Sequence, residues 1–465
     1  MMREGLDALL TPRSVAVVGA SANPSKISNV VLRNLSKGGF KVYPVNPKEK
    51  EILGLECFAS VSSIPGEVDL AMISLPAATA VKAAAECVEK GVGVVVVTSS
   101  GFAESGPSGR ALQDELVSLF EGKRARLLGP NTMGVFAPGL NLDTLLIPTE
   151  KSPRPPPGSV AMISQSGAVA IAFLEKAAAF GMGVSSCVCL GNKADIEECE
   201  LLEHFADDPG TDCICMYLES FSDGRRFVEA ARRASERKPV VVLKSGRSEA
   251  GARAAGSHTG ALASSSDALV DGALRQAGVM RAYDEEELVD LSRALSYLGH
   301  AEGDRVCVVA SAGGFGVIAA DYVESSDHGF GLRMAKLSER TRADLAAVMP
   351  TFSSAGNPVD LTAEVTDEMY DAVLKILQAD SGVDCIMMSL ELQPPNVTRG
   401  LIDVAVRRRA GSRTPIVVSA FGGGEGRDAM AALEGGKVPS YPTIKRAVRA
   451  VAALVERGAY LRRQK

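Results

Sequence analysis

The sequence predicts an α/β protein made of three Rossmann- or flavodoxin-like, doubly wound domains in series. Short runs of β-branched apolar residues recur along the chain, and each is followed by a glycine-bearing turn and a helical segment, as in SVAVVGAS at 14–21. Uninterrupted apolar strands that alternate with helices are typical of a parallel sheet with helices on both faces. The length of 465 residues fits several domains of roughly 100–200 residues each.

Two interruptions of this pattern mark the expected domain boundaries. Residues 149–158 are rich in proline, so they are predicted to form a semi-rigid linker rather than a helix or a central strand. The pattern then restarts, and it weakens again at YLGHAEGD, 297–304. We therefore expect three domains, at 1–148, 159–300 and 301–465.

Composition and charge exclude several classes of protein. Hydrophobic residues make up 46% of the chain and charged residues 23%, which is the profile of a folded globular protein. The net charge of −6 argues against nucleic acid as the main partner. No stretch approaches the roughly 20 apolar residues of a membrane helix, and the N-terminus has no apolar core like that of a signal peptide. We expect a cytoplasmic protein with no membrane partner.

Nine cysteines are scattered along the chain without a disulfide framework. Cys187 with Cys189, and Cys213 with Cys215, form C-x-C pairs inside apolar runs, where residues two apart share one face of a strand. A second ligand pair at the spacing of a zinc site is missing. We interpret these residues as buried structural thiols, predict no metal site and infer a reducing compartment.

The polar loop after the first predicted strand is a candidate nucleotide site. In VAVVGASANPSKISN, Gly19 ends the strand and a helix follows, an arrangement in which backbone N–H groups and the helix dipole bind phosphate. The second and third glycines of G-x-G-x-x-G are absent. The next strand ends in YPVNPKEK, so Lys48 and Lys50 stand where an NAD protein usually has an acidic residue. Together with Lys26, these lysines favour a nucleotide with an extra phosphate, such as CoA or NADP, over NAD. The alternative is a Rossmann-like domain without ligand.

Two features of the second domain indicate anion chemistry. SQSG, 164–167, precedes an amphipathic helix, so Ser166 either only caps that helix or is part of an anion site at its N-terminus. Glu219 directly follows the strand CICMYL. It is either a solvated carboxylate at a strand end, or a partner that accepts the Nδ1 proton of a histidine and leaves Nε2 free to attack.

His258 lies in AAGSHTGALASSSD, 254–267, a run of small residues that predicts a loop. Taken alone, a histidine in such a loop is incidental more often than functional. The other histidines, His204, His300 and His328, lie in a predicted helix or at turns, and we interpret them as incidental.

Six motifs in a fixed order resemble those of one enzyme family. They are GAS-x-x-P-x-K, VNP, GPNTMG, ISQSGAVA, GNKADI and GSHTGALA. In this order they resemble the NDP-forming acyl-CoA synthetases, relatives of succinyl-CoA synthetase, and are most similar to the alpha subunits of ADP-forming acetate–CoA ligases. The resemblance covers nearly the whole chain, including the third domain with its SAGGFGV and NPVDLT segments.

The resemblance implies a role for particular residues. It implies that the first domain binds CoA, that His258 carries a phosphoryl group, that Glu219 steadies this histidine, and that Ser166 and Gly167 hold the phosphoryl group at a helix N-terminus. The implied CoA-binding residues are Gly19, Ser21, Lys26, Val45, Asn46, Lys48, Ser99, Ser100 and Gly101.

The implied reaction converts acyl-CoA, ADP and phosphate into acid, ATP and CoA through an acyl phosphate and a phosphohistidine. Family members need an ATP-grasp domain for nucleotide and Mg²⁺, and none follows the third domain in this sequence. The resemblance therefore implies a β subunit that binds ADP or ATP with Mg²⁺, in an α2β2 assembly, and a small organic acid or its acyl-CoA as substrate.

Two departures from the family pattern leave alternatives open. Ser28 stands where the first loop usually has glycine, and ASAGGFGV differs from the expected third-domain segment, which we interpret as structural. A non-catalytic CoA-binding regulator is the alternative function. An NADP-dependent dehydrogenase is disfavoured by the first two loops.

Overall fold

The computed structural model describes residues 2–259, 266–324 and 330–464. It divides into two compact units, Met1–Glu285 and Glu286–Lys465. The predicted fold class is confirmed, because each unit is an α/β structure in which parallel strands predominate. None of the described helices is both long and apolar enough to cross a membrane.

The first unit begins with a five-stranded parallel sheet in the order β2-β1-β5-β6-β7. Its strands are uninterrupted apolar runs, such as Val94–Val97, and they are buried as a parallel sheet requires. The strand order reverses between β1 and β5, which places a crevice at the carboxyl ends of these two strands. The elements up to residue 148 are α1 (Met2–Leu10), β1 (Ser14–Val18), α2 (Ile27–Leu35), β2 (Lys41–Val45), β3 (Glu51–Ile52), β4 (Leu55–Glu56), β5 (Leu70–Ile73), α3 (Ala77–Lys90), β6 (Val94–Val97), α4 (Pro107–Ser118), β7 (Arg126–Leu128), β8 (Val135–Ala137) and β9 (Leu142–Asp143).

A second sheet follows in the same unit, with seven strands in the order β14-β13-β12-β10-β11-β8-β9. Its strand order reverses between β10 and β12, which creates a second crevice. The elements are β10 (Pro157–Ser164), α5 (Gly167–Phe180), β11 (Val184–Cys189), α6 (Glu198–Asp207), β12 (Cys213–Leu218), α7 (Gly224–Arg237), β13 (Val240–Lys244), α8 (Glu249–Thr259), α9 (Asp267–Gln276) and β14 (Met280–Ala282).

Residues on both sides of the proline-rich segment build this second sheet. Strands β8 and β9 precede the segment, yet they extend the sheet by antiparallel pairing next to β11. Strand β10 begins with Pro157, a position that tolerates proline because it is the first of the strand. Arg126 of β7 joins the two sheets through hydrogen bonds to Asp195 and Glu200 at 2.8 Å. The four C-x-C cysteines are buried on β11 and β12, which confirms them as structural thiols.

The second unit contains one six-stranded sheet in the order β16-β15-β18-β19-β20, with β17 pairing to β15. All of its strand pairs are parallel. Its elements are α10 (Glu285–Leu298), β15 (Arg305–Ala310), α11 (Gly313–Glu324), β16 (Arg333–Met334), α12 (Glu339–Val348), β17 (Val359–Asp360), α13 (Asp367–Ala379), β18 (Cys385–Glu391), α14 (Gly400–Ala410), β19 (Ile416–Phe421), α15 (Gly423–Gly435), β20 (Ser440–Tyr441) and α16 (Ile444–Gln464).

Candidate functional site

Gly19 lies at the crevice of the first sheet, and its conformation requires glycine. Its φ is +85°, a left-handed value that other residues rarely adopt. A Cβ atom at this position would lie 2.7 Å from the carbonyl oxygen of Ser74. The N–H groups of Gly19 and Ala20 donate to the carbonyl oxygen of Val45 at 3.0 and 3.2 Å. The structure therefore brings together the first two loops that the sequence assigned to CoA.

Asn46 fixes the relative position of these two loops. Its Nδ2 donates to the carbonyl oxygen of Ala20 at 2.7 Å, and its Oδ1 accepts from the backbone N–H of Lys48 at 2.9 Å. In the first loop, Asn29 Nδ2 donates to the carbonyl oxygen of Ser21 at 2.9 Å. The side chains of Asn29 and Asn46 thus hold the backbones of the first and second loops in place by hydrogen bonds within the protein.

The positive charges of the crevice come from the lysines and from helix α2. Lys26 and Lys48 are exposed, and Lys26 occupies the N-cap position of α2. The first turn of α2 has no acidic residue, and its N-cap makes no side-chain hydrogen bond. The partial positive charge of this helix end therefore adds to the lysine charges. Ser28, where the family pattern has glycine, is buried in α2.

The third loop, 99–101, is held by the protein itself. Ser99 Oγ donates to the carbonyl oxygen of Leu75, next to the Gly19 crevice. The N–H of Gly101 donates to Glu104 Oε1 at 2.6 Å. Ser100 is exposed, whereas Ser99 and Gly101 are half-buried. The N–H of Gly101, one of the residues implied to bind CoA, is therefore already bonded to Glu104.

Glu104 connects the first crevice to the second sheet, and the sequence analysis missed it. Its Oε1 also accepts from the N–H of Phe102 at 3.1 Å, and its Oε2 accepts from Asn192 Nδ2 at 2.6 Å. Burial alone would raise the pKa of Glu104, but the hydrogen bonds from Asn192, Gly101 and Phe102 outweigh it and lower the pKa. Asn192 belongs to the GNKADI motif, and α8 lies beside the turn Ala103–Ser105.

Ser166 and Gly167 lie at the crevice of the second sheet, at the start of α5. Ser166 is the N-cap of α5, and its side chain accepts from the N–H of Val169 at 3.5 Å. The first turn of α5 contains no acidic residue. A Cβ atom on Gly167 would lie 2.0 Å from Met133 Cγ, so the GPNTMG loop packs closely against this helix end. Ser166 therefore caps α5, and the dipole of α5 also favours an anion at this end.

Glu219 lies beside this helix end because Gln165 joins the two loops. Gln165 Oε1 accepts from the N–H groups of Glu219 and Ser220 at 2.8 and 3.0 Å. Glu219 is buried, with 6% of its surface exposed, which excludes the solvated carboxylate interpretation. Tyr217 Oη donates to Glu219 Oε1 at 3.3 Å. Gln165 and Tyr217 were not predicted, although Gln165 lies within the SQSG motif.

Lys244 is a buried cation at the same edge, and the sequence did not reveal it. Its Nζ donates to the carbonyl oxygens of Glu219 and Ser245 at 2.7 and 2.5 Å. Burial, followed by the charge of Arg281, lowers the pKa of Lys244. Lys193 provides a second cation, which donates to the carbonyl oxygen of Ser220 at 2.9 Å. Lys193 also pairs with the buried Glu198 at 2.9 Å, so two lysines, one of them ion-paired, lie beside the end of β12 where Glu219 lies.

The predicted loop around His258 is wrong in its first part. Helix α8 extends from Glu249 to Thr259 and includes the backbone of His258. Ser248 Oγ accepts from the N–H of Gly251 at 3.1 Å and caps this helix, and its alanines favour helical conformation despite the glycines. The His258 side chain and residues 260–265 lie outside the described residues, as does His328.

Three domain families match successive parts of the chain. A CoA binding domain matches residues 13–138, a succinyl-CoA ligase like flavodoxin domain matches 157–295, and a ligase-CoA domain matches 306–462. The first covers the Gly19 crevice and the second covers the Glu219 crevice. The fold, the two crevices and the three matching domain families place this chain in the succinyl-CoA ligase class of proteins.

Comparison with individual relatives assigns the chain to one family within this class. The alpha subunit of acetate–CoA ligase [ADP-forming] I from Pyrococcus furiosus is 40% identical over 457 residues, which is 97% of each chain. The dinucleotide-forming acetyl-coenzyme A synthetase 1 of Ca. Korarchaeum cryptofilum, solved with phosphate and ADP, is 36% identical and superimposes with a TM-score of 0.90 over 99% of each chain. The chain belongs to the family of alpha subunits of ADP-forming acetate–CoA ligases.

A third relative is longer than this chain. Acetate–CoA ligase [ADP-forming] I from Archaeoglobus fulgidus is 38% identical over 453 residues, which is 97% of this chain and 63% of the relative. The name "subunit alpha" of the Pyrococcus protein implies a partner subunit.

Proposed function

We propose that this chain is the catalytic alpha subunit of an ADP-forming acyl-CoA synthetase, which interconverts acyl-CoA, ADP and phosphate with acid, ATP and CoA. One observation carries the proposal. At the second crevice, the N-terminus of α5 and the buried carboxylate of Glu219 are joined by Gln165, whose Oε1 accepts from the N–H of Glu219 at 2.8 Å. An anion-binding helix end beside a fixed carboxylate is what a phosphorylated histidine requires.

The proposed reaction has three steps. A phosphate oxygen attacks the thioester carbon, the C–S bond breaks, and CoA leaves as its thiol after taking a proton, which yields acyl phosphate. The free nitrogen of His258 then attacks phosphorus, the P–O bond to the acyl group breaks, and the acid leaves as a carboxylate. Finally, an oxygen of ADP attacks phosphorus, the P–N bond breaks, and ATP forms. The reverse sequence produces acyl-CoA.

Each residue in this scheme has a physical task. The carboxylate of Glu219 accepts a hydrogen bond from the N–H on the other nitrogen of His258 and stabilises the charged ring that forms on phosphorylation. Ser166 and Gly167 present the α5 N-terminus to the phosphoryl oxygens. Phosphoryl transfer depends mainly on positioning and on charge stabilisation, and these groups supply both.

The first crevice is the proposed CoA site. The residues proposed to contact CoA there are Gly19, Ser21, Val45, Asn46, Ser99, Ser100 and Gly101. Lys26 and Lys48, both exposed, are proposed to pair with CoA phosphates. The contacts of Gly19 with Val45 and of Asn46 with Ala20 support this assignment, because they hold the first two loops together at the end of the sheet.

The nucleotide half of the reaction is assigned to a partner. We propose a β subunit with an ATP-grasp domain that holds ADP or ATP with Mg²⁺, in an α2β2 assembly. The greater length of the Archaeoglobus relative supports this, since this chain accounts for 63% of it. Acetate is the acid named for the relatives. The free thiols favour a reducing compartment, and we propose the cytoplasm.

The proposal is tested with radiolabelled inorganic phosphate and the chain assembled with its partner. Label should enter the alpha chain only when an acyl-CoA is present, and it should be acid-labile, as phosphohistidine is. A chain that binds CoA but takes up no label from any of a panel of acyl-CoA esters would instead be the non-catalytic regulator. Tight NADP binding without CoA binding would indicate a dehydrogenase.

A further inference from the structure

The turn at residues 191–195, GNKAD, lies between β11 of the second sheet and α6, and it contacts the loop after β7 of the first sheet. The N–H of Asn192 donates to the carbonyl oxygen of Pro130, in the GPNTMG loop, at 2.9 Å. In the same loop, the N–H of Asn131 donates to the carbonyl oxygen of Ser99 at 3.0 Å. The backbone of the turn is therefore joined, through one loop, to the third proposed CoA loop.

The side chain of Asn192 also connects the turn to the first crevice. Its Nδ2 donates to Glu104 Oε2 at 2.6 Å and to Gln113 Oε1 at 2.9 Å. The other carboxylate oxygen of Glu104 accepts from the N–H of Gly101 at 2.6 Å. One amide group of the turn thus holds the carboxylate that fixes Gly101 of the third CoA loop.

The side chain of the next residue, Lys193, lies at the second crevice. Lys193 Nζ donates to the carbonyl oxygen of Ser220, the residue after Glu219, at 2.9 Å. It also pairs with Glu198 Oε2 at 2.9 Å, and the two side chains are 5% and 0% exposed. Glu198 Oε1 accepts from the N–H of Ser222 at 2.6 Å. Two buried, opposite charges therefore hold the backbone that directly follows Glu219.

The backbone conformation of Lys193 indicates that its side chain matters. Its φ is +54°, a left-handed value that glycine adopts at lower cost than a residue with a Cβ atom. Glycine would therefore form this turn more easily, and the turn alone does not explain a lysine here. The contacts of Lys193 with Ser220 and Glu198 do.

We propose that Asn192 and Lys193 are positioning residues for the attack of phosphate on acyl-CoA, because together they fix the third CoA loop relative to the loop that carries Glu219. This inference rests on the proposed function. In that reaction the thioester belongs to the first crevice and phosphate to the second, so the attack needs both crevices at one separation and orientation. A reactant misplaced by about 1 Å loses about a hundredfold in rate.

The test uses the chain assembled with its partner subunit and two donors of a labelled phosphoryl group. Acetyl-CoA with inorganic phosphate requires both crevices, whereas acetyl phosphate requires only the second, because acetate leaves as His258 attacks phosphorus. Both donors are used at saturating concentration, so that a change of affinity does not enter the measured rate of His258 phosphorylation. Tm is measured on the same preparations.

Two variants are each compared with a matched control. Asn192→Ala is compared with Asn34→Ala, because Asn34 is buried and its Nδ2 also donates twice, to backbone carbonyl oxygens at 3.0 and 3.4 Å. Lys193→Met is compared with Lys238→Met, because Lys238 Nζ also donates to backbone carbonyl oxygens, one of them at 2.9 Å. The partners of both control side chains lie outside the residues proposed for the two crevices.

The two variants should differ in which donor they affect. Asn192→Ala should lower the rate from acetyl-CoA with phosphate by about tenfold and leave the rate from acetyl phosphate within about twofold. Lys193→Met should lower both rates by about tenfold, because the loop that carries Glu219 takes part in both reactions. The controls should stay within about twofold of the unchanged protein with both donors, even where Tm falls as far as in the matched variant.

Other results would overturn the inference. They are equal losses with both donors in Asn192→Ala, unchanged rates in both variants, or losses in the controls that equal those in the matched variants. If Lys193→Met does not fold, the double variant Lys193→Met with Glu198→Gln replaces it, because no unpaired buried charge then remains. If the unchanged protein takes up no label on His258 from either donor, the proposed function fails and this inference fails with it. If it takes up label from both donors and the two variants match it, the inference alone fails.

Discussion

The ammonium of Lys244 donates to the carbonyl oxygen of Glu219 at 2.7 Å, and this bond ties the end of β13 to the end of β12. The same ammonium donates to the carbonyl oxygen of Ser245 at 2.5 Å, so it also holds the start of the segment that leads into α8. One buried cation therefore fixes the backbone of Glu219 relative to the segment that leads into α8. It also adds positive charge where a phosphoryl group is proposed to bind.

Lys244 should give phosphohistidine formation an alkaline limb. Burial and the charge of Arg281 lower its pKa, so it loses its proton below the usual lysine value of about 10.4. As pH rises through the lowered pKa the ammonium becomes neutral, and the charge available to the phosphoryl group is lost. Lys244→Met should be about tenfold slower at pH 7, and its rate should no longer change across this limb. A pH–rate profile of His258 phosphorylation checks this, and an identical limb in the variant would contradict it.

The effect of Lys244 on stability has the opposite sign to that on the rate. Between the lowered folded pKa and about 10.4, the unfolded chain binds a proton that the folded chain does not, so the contribution of this group to stability rises with pH. Unfolding free energies measured across that interval should therefore rise less with pH in Lys244→Met than in the unchanged protein.

Gly19→Ala should weaken CoA binding by about tenfold or more, roughly 1.4 kcal/mol. The added Cβ would meet the carbonyl oxygen of Ser74 at 2.7 Å, and φ is +85°. Gly54→Ala is the matched control, because Gly54 has φ +77° with no atom within 4 Å of its Cβ position. Both variants should lose about 1–2 kcal/mol of stability from the left-handed backbone. Calorimetric titration with CoA separates them, and equal affinities would contradict the CoA assignment of this loop.

Ser166→Ala should affect stability and phosphorylation together. Loss of the N-cap costs about 1 kcal/mol, and the α5 end then binds a phosphoryl group less well. Ser338→Ala is the control, because Ser338 caps α12 in the second unit by accepting from the N–H of Thr341 at 3.1 Å. Both should lower Tm similarly, but only Ser166→Ala should slow His258 phosphorylation. Slowing by both variants to the same degree would show that Ser166 acts through stability alone.

Glu104→Gln should lower CoA affinity by roughly threefold to tenfold. The carboxylate of Glu104 holds Gly101 of the third proposed CoA loop and accepts from Asn192 Nδ2, and a neutral amide would hold both less firmly. The lowered pKa of Glu104 means that its charged form stabilises the folded state above the usual value of about 4.3. That stabilisation is lost as pH falls through the lowered folded pKa. The stability difference between the two proteins should therefore shrink in acid, as measured by chemical unfolding from pH 7 to pH 3.

Arg293→Met should destabilise the second unit by about 3–5 kcal/mol, since a buried charge would lose its partner. Arg293 is fully buried, pairs with Glu434, and donates to the carbonyl oxygen of Ser440 at 2.6 Å. Adding Glu434→Gln should restore part of the loss, because no unpaired charge then remains. Thermal unfolding of both variants checks this, and equal or additive losses would contradict the buried-pair interpretation.

The pattern of residues along the chain predicted the fold class and the crevice loops, because both depend on which residues are neighbours in sequence. Apolar strand runs and a glycine at a strand end are visible in sequence, and so Gly19 and Glu219 were found. Lys244 was not, because it ends the strand PVVVLK as any solvated lysine might. Its contact with Glu219 follows from the pairing of β12 with β13, which the sequence does not specify.

Two other features depended on tertiary pairing or on competing local preferences. Strands β8 and β9 join the second sheet across the proline-rich segment, and no composition change marks this. The stretch before His258 was predicted to be a loop from its glycines, but its alanines and the Ser248 cap favour α8. Glu104 and Asn192, 88 positions apart, meet only once the two sheets of the first unit are assembled.

The central claim is that His258 carries the phosphoryl group, and direct detection of the modified residue tests it best. The chain and its partner subunit are incubated with ATP and Mg²⁺, and the phosphorylated residue is identified by mass spectrometry under alkaline conditions. His258→Asn is compared with His204→Asn, a histidine of α6. We predict phosphohistidine at position 258, retained in His204→Asn and abolished in His258→Asn together with ATP formation. Phosphorylation at another residue, or full activity of His258→Asn, would contradict the account.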